Sequence, residues 1–111
     1  MDWLLDFFKE NRTFGAQRSG LWPSVRKQHL KRFPTCAVCG GTDTLEVHHI
    51  FPVHNHQELE LNFQNLITLC ESGKNGIVCH RAIGHLGDYK SFNKDVEQDA
   101  YLLNKKIINR P

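Results

Sequence analysis

Apolar and polar positions change their period several times along this chain, and each change marks an element. "DWLLDFFKE" has the spacing of a short amphipathic helix, and the polar, glycine-punctuated "NRTFGAQRSG" reads as a loop. "WPSVRKQHLKRF" predicts a helix that Pro23 opens or Ser24 caps, with Val25, His29 and Phe33 on one stripe. "PTCAVCGG" is a turn. "TLEVHHIF" then alternates and is rich in strand formers. The polar stretch "PVHNHQELELNFQN" predicts a loop with a few apolar anchors, and "LITLC" a short buried strand. After the turn "ESGKNG", a helix is expected from Cys79, ended early by Gly84 and Gly87. "DVEQDAYLLNKKIINRP" predicts a terminal helix with Val96, Ala100, Leu103 and Ile107 on one face. Asp95 and Gln98 suggest a capping box at its start.

A chain of 111 residues is one small domain of mixed α and β elements. No apolar run approaches the roughly 20 residues a membrane-spanning helix needs. Asp2 and Asp6 interrupt the apolar start, which argues against a signal peptide and leads us to expect a cytoplasmic protein with reduced thiols. The net charge of +2 is mild, but its distribution is not. Residues 1–35 carry seven basic and three acidic side chains, a net of +4, which leaves −2 for the remainder. A basic first third suits a polyanionic partner such as nucleic acid, and a solvated helix face is the plainer alternative. Lys27, Lys31 and Arg32 fall largely off the apolar stripe of their helix, so with Arg26 they are candidates for phosphate contacts.

The four cysteines fall into two pairs, Cys36 with Cys39 at C-x2-C spacing and Cys70 with Cys79 at the ends of "CESGKNGIVC". Two such pairs at neighbouring turns suit a tetrahedral zinc site of four thiolates. Buried thiols, or three cysteines with His80, are the alternatives at this point. Next come two adjacent histidines, His48 and His49. Neighbours in a strand point to opposite faces, so the two imidazoles are expected to do different jobs.

The order of "CAVCG", "LEVHHIFP", "NLITLC" and "CH" resembles the HNH (His-Asn-His) endonucleases, over about residues 33–97. "HHIFPVHNHQELELNFQNLITLCE" followed by "CHRAIGHLGDYKSFNKDV" is similar to a bacterial and phage subgroup of that family. One departure is the long spacer between Cys70 and Cys79, where many members have two residues. The resemblance implies an α+β chain with a small ββα-metal fold: a two-stranded antiparallel hairpin plus helix, a four-cysteine zinc site, and flanking N- and C-terminal helices. It implies a basic helical extension at 1–35, a nuclease core at 36–94 and a packing helix at 95–111.

The resemblance also divides the labour. His48 and His80 would hold one divalent ion (Mg²⁺, Mn²⁺, Ni²⁺ or Zn²⁺), Cys36, Cys39, Cys70 and Cys79 a structural Zn²⁺, and His49 would act as general base. Asn65 would hold the strands in register. His85 is either a further ligand or a packed, hydrogen-bonded residue: five residues beyond His80, it stands about 140° away on an α-helix. His54 and His56 lie in the loop over the site, where either can touch phosphate. The implied reaction is metal-assisted hydrolysis of DNA phosphodiesters, leaving 5′-phosphate and 3′-hydroxyl ends. Two rivals remain at this stage: a non-catalytic zinc module that binds nucleic acid, and a structural or adaptor protein of a phage or mobile element.

Overall fold

The computed structural model describes residues 19–72 and 77–108. The expected first helix, most of the loop after it and most of the "ESGKNG" turn lie outside these residues. Helix α1 spans Trp22–Arg32 with Pro23 in its first turn, where a missing N–H costs nothing. Ser24 does not cap it. Strand β1 (Leu45–His49) pairs antiparallel with β2 (Leu66–Cys70), so that Leu45 faces Cys70, His48 faces Ile67 and His49 faces Leu66. Between the strands the chain makes two 3₁₀ turns, Gln57–Leu59 and Phe63–Asn65, inside what the sequence presents as a polar loop. Helix α2 spans Val96–Ile108. The described part is thus a small α+β fold around a two-stranded hairpin.

The hairpin lies between α1 on one side and the segment after Cys79 on the other. On the α1 side, Thr68 Oγ1 donates to the Phe33 carbonyl at 2.9 Å, and the Trp22 ring sits 4.5 Å from that of His49. Period-2 alternation sends Ile67 and Leu69 to the opposite side. They belong to the buried core together with Cys36, Val38, Cys70, Cys79, Val96 and Ala100. The α1 stripe is only partly buried: His29 is inside, whereas Phe33, past the helix end, is 50% exposed. On α2, Val96 and Ala100 are buried, but Ile107 is exposed because the helix runs beyond the core.

Two local expectations are corrected. The helix after Cys79 is a single π-helical turn, His80–Gly84, closed by the His85 N–H donating to the His80 carbonyl at 3.1 Å. Leu86 and Gly87, both at positive φ, end it. The start of α2 does not use a box between Asp95 and Gln98. Asn93 takes that role: its Oδ1 accepts from the Asp95 N–H at 3.0 Å, and its Nδ2 donates to Asp99 Oδ2 at 2.8 Å. Among the described residues, no helix is long and apolar enough to cross a membrane.

Candidate metal centres and catalytic cleft

The "CAVCGG" turn is held by its own backbone. The Cys36 N–H donates to the Gly41 carbonyl at 2.8 Å, the Gly40 N–H donates to the Cys36 carbonyl at 2.9 Å, and Gly40 takes a positive φ that suits glycine. An Ala37 N–H bond to the Thr68 carbonyl, at 2.9 Å, lays this turn on β2. Cys70 ends β2, and Cys79 precedes the π turn. The four Sγ atoms consequently lie within 4.8 Å of one another, and no disulfide joins them.

Their chemistry fits a cation. The Cys39 and Cys70 sulfurs are 3.7 Å apart. A tetrahedron with zinc–sulfur bonds of about 2.3 Å has an edge of roughly 3.8 Å. Burial pushes the Cys79 thiol up, and crowding by the other three sulfurs adds to it; burial raises Cys70 as well. For Cys36 burial acts in the same sense, but the backbone N–H groups of Cys39, Val38 and Cys70 outweigh it and hold the thiol below its ordinary value. Four mutually repelling sulfurs of this kind need a positive charge among them to ionise together.

The second cluster joins three imidazoles. One ring nitrogen from each of His48, His80 and His85 lies within 4.8 Å of the others, and the ring centroids are 4.7–4.9 Å apart. His85 belongs to this trio because the turn is π and not α. A bond from residue i+5 back to residue i stacks residues five apart on one face, which removes the angular offset an α-helix would impose.

Each ring has a defined environment. His80 Nδ1–H donates to the Glu71 carboxylate, and His85 Nδ1–H donates to the Ser91 carbonyl at 2.7 Å. Carboxylates and carbonyls only accept, so Nδ1 carries the proton, and in the neutral form each ring has its lone pair on Nε2. His48 is buried, and its Nε2 has no hydrogen-bond partner. Burial first, and then the neighbouring imidazoles, push the His48 pKa down to about 3. Burial also lowers His85, against a partial offset from the Ser91 carbonyl. An orphaned, neutral imidazole nitrogen beside two aligned ones costs stability on its own, and is what a divalent ion requires.

His49 is held in the opposite tautomer. Its Nε2–H donates to the Glu60 carbonyl at 2.9 Å, so the lone pair sits on Nδ1. Glu60 is itself fully buried, with Oε2 accepting from the Ser19 N–H at 2.9 Å, which fixes the carbonyl that His49 uses. Asn65 ties the loop together: Oδ1 accepts from the Phe51 N–H at 2.9 Å, and Nδ2 donates to the carbonyls of Phe51 and Leu59 at 3.1 and 3.3 Å. His48, His49, His54, Glu71, His80 and His85 all line one open cleft of about 500 Å³.

Residues 36–85 match the family model described as HNH endonuclease. Over this segment the chain is similar to HNH endonucleases. No curated protein and no solved structure matches it. The matched segment runs from the first cysteine of the thiol cluster to the last histidine of the imidazole trio, so both clusters lie inside it.

Other expected residues have these places. His54 is exposed on the cleft wall, and His56 pairs with Glu58 at 3.6 Å. Lys27, Lys31 and Arg32 are exposed on α1. Arg26 is engaged within the protein: its Nε lies 3.6 Å from Glu46 Oε1, and it donates to the Leu45 carbonyl at 3.4 Å. The sequence pattern singles out neither Glu71 nor Glu60. Glu71 has a faint signal, since it directly follows a cysteine of the thiol cluster. Nothing in the local sequence separates Glu60 from Glu58.

Proposed function

We propose that this protein is a metal-dependent endonuclease that hydrolyses DNA phosphodiester bonds. The observation that carries the reading is the different setting of two adjacent histidines. His48 turns an unpartnered nitrogen toward two other imidazoles, while His49 keeps its lone pair on Nδ1 in the same cleft. A binding module has no need of a base held beside a ligand set.

The chain's residues divide as follows. Cys36, Cys39, Cys70 and Cys79 hold a structural Zn²⁺, with reduced thiols suited to the cytoplasm of a bacterial or phage-infected cell. His48, His80 and His85 hold one divalent ion, for which imidazole ligands admit Mg²⁺, Mn²⁺, Ni²⁺ or Zn²⁺. When bound, that ion supplies Lewis-acid stabilisation of charge on the phosphate and the leaving 3′ oxygen. His49 Nδ1 takes a proton from water, and the Glu60 carbonyl stabilises the imidazolium that forms. The water oxygen bonds to phosphorus in line with the bond to the 3′ oxygen. That bond breaks, the 3′ oxygen acquires a proton from solvent, and the other product ends in a 5′-phosphate. Asn65 keeps the loop that carries Glu60 in register with β1.

Lys27, Lys31 and Arg32 contact DNA phosphates, positioning the duplex without reading its sequence. Arg26, paired with Glu46, contributes to that surface only by leaving its partner. The core is residues 36–94, with 1–35 a basic extension and 95–111 a terminal helix.

The test is a plasmid-nicking assay with and without chelator, run on wild type, His49→Ala, His48→Ala and His85→Ala. His49→Ala is expected to keep its ions and DNA binding but to lose about 10²–10⁴-fold in cleavage rate. His48→Ala and His85→Ala are expected to need more divalent ion and to regain activity in its excess. A wild-type protein loaded with both metals that binds DNA without cutting it would leave a nucleic-acid-binding module in place of an enzyme.

A further inference from the structure

His80 and His85 present the same tautomer by different means. For His85 the acceptor is a backbone carbonyl, which no substitution at Ser91 removes. For His80 it is the Glu71 side chain, and among the described residues no other acceptor bonds the His80 ring. Glu71 is well placed for this. Its N–H donates to the Thr44 carbonyl at 2.8 Å, just beyond the end of the β ladder. Its side chain lines the cleft and is 39% exposed, so it does not serve the core.

The two ends of this bond are also tied to the thiol cluster. Glu71 directly follows Cys70, and His80 directly follows Cys79, both of which are buried. Fixing the two sulfurs therefore fixes the backbone on both sides of the Glu71–His80 bond.

We propose that Glu71 is a positioning residue for the imidazole trio. Its carboxylate holds His80 in the Nδ1–H tautomer, aims Nε2 at the ion site, and links the geometry of that site to the thiol cluster. This rests on the reading that His48, His80 and His85 hold a divalent ion. Acceptors behind ligating histidines fix ring orientation and strengthen the ligand, and their loss typically costs 10–100-fold in ion affinity.

Two measurements on the zinc-loaded full chain test it, with Glu71→Ala and Glu71→Gln. The first is the ring ¹⁵N chemical shifts of His80 before any second ion is added. The second is a Co²⁺ titration followed by visible absorption, with zinc content checked by elemental analysis. Glu71→Ala is expected to lose the Nδ1–H tautomer preference at His80 and to raise the Co²⁺ Kd by about 10–100-fold. Glu71→Gln still offers an oxygen acceptor, so it keeps the tautomer and loses less affinity. If Glu71→Ala fails to fold or loses its zinc, Glu71→Met, which keeps bulk without an acceptor, is held to the same criteria. Wild-type Co²⁺ affinity and unchanged His80 shifts in the acceptor-less variant overturn the role of Glu71 alone. A wild-type protein that takes up no Co²⁺ at its histidines overturns the ion-binding reading and this inference together.

Discussion

Gly84 lies against the ring of His48. A Cβ built on Gly84 would stand 3.2 Å from both Cε1 and Nε2 of His48, and 3.0 Å from Cδ1 of Leu69. The close approach lets a buried strand histidine meet two histidines of the π turn. Gly84→Ala is therefore expected to push the His48 ring off its position by a few tenths of an ångström. Overpacking of this kind costs about 1–3 kcal/mol. The expected result is a folded, zinc-loaded protein with a lower melting temperature and weaker divalent-ion binding. Ion affinity equal to wild type would show that the ring has room the geometry denies it.

The thiol cluster should behave as a structural element. The protein is expected to purify with about one zinc that mild chelation leaves in place, as four-thiolate sites do. Cys36→Ser removes a fully buried ligand, and folding is expected to fail or to lose cooperativity. Zinc content by elemental analysis and a thermal melt decide it. A metal-free Cys36→Ser protein with a sharp wild-type transition would count against the site.

Lys27 and Lys31 are one helical turn apart on α1 and exposed. If both meet phosphates, changing them to Ala should weaken binding to all DNA sequences alike. It should also flatten the dependence of log K on log salt by about two units at most. Affinity measured at several salt concentrations gives the slope. An unchanged slope moves the DNA surface elsewhere, with Lys105 and Lys106 of α2 the next candidates.

His29 offers a pH test away from both metal centres. It is buried in α1, neither ring nitrogen has a hydrogen-bond partner, and burial lowers its pKa below the ordinary 6.5. Well above that pH both the folded and unfolded chains hold it neutral, and it contributes no pH dependence. As pH falls through the ordinary value, the unfolded chain binds the proton first, so stability declines. His29→Leu removes this term. The melting temperature of the variant is expected to fall less than that of wild type between pH 8 and pH 5.5. The ligands titrate in both proteins, so the difference isolates His29. Parallel curves would mean that the folded protein protonates His29 as easily as the unfolded chain does.

Much of the framework was legible along the chain. "LITLC" is β2 to the residue, β1 lies within "TLEVHHIF", and Pro23 opens α1. These features depend on near neighbours: which side chains must leave water, at what period, and where a backbone N–H is missing. The cysteine pairs and the adjacent histidines were visible for a related reason, since ligand spacing within a turn is a local quantity. Other features depended on contacts between distant segments. His85 joins the trio because the turn after Cys79 closes as π, which composition does not announce. His49 owes its tautomer to the carbonyl of Glu60, and every residue has a carbonyl. Arg26 turns inward because Glu46 on β1 comes within its reach. Period and spacing are written in side-chain chemistry, so a sequence displays them; the direction of a lone pair depends on which backbone groups folding brings beside the ring.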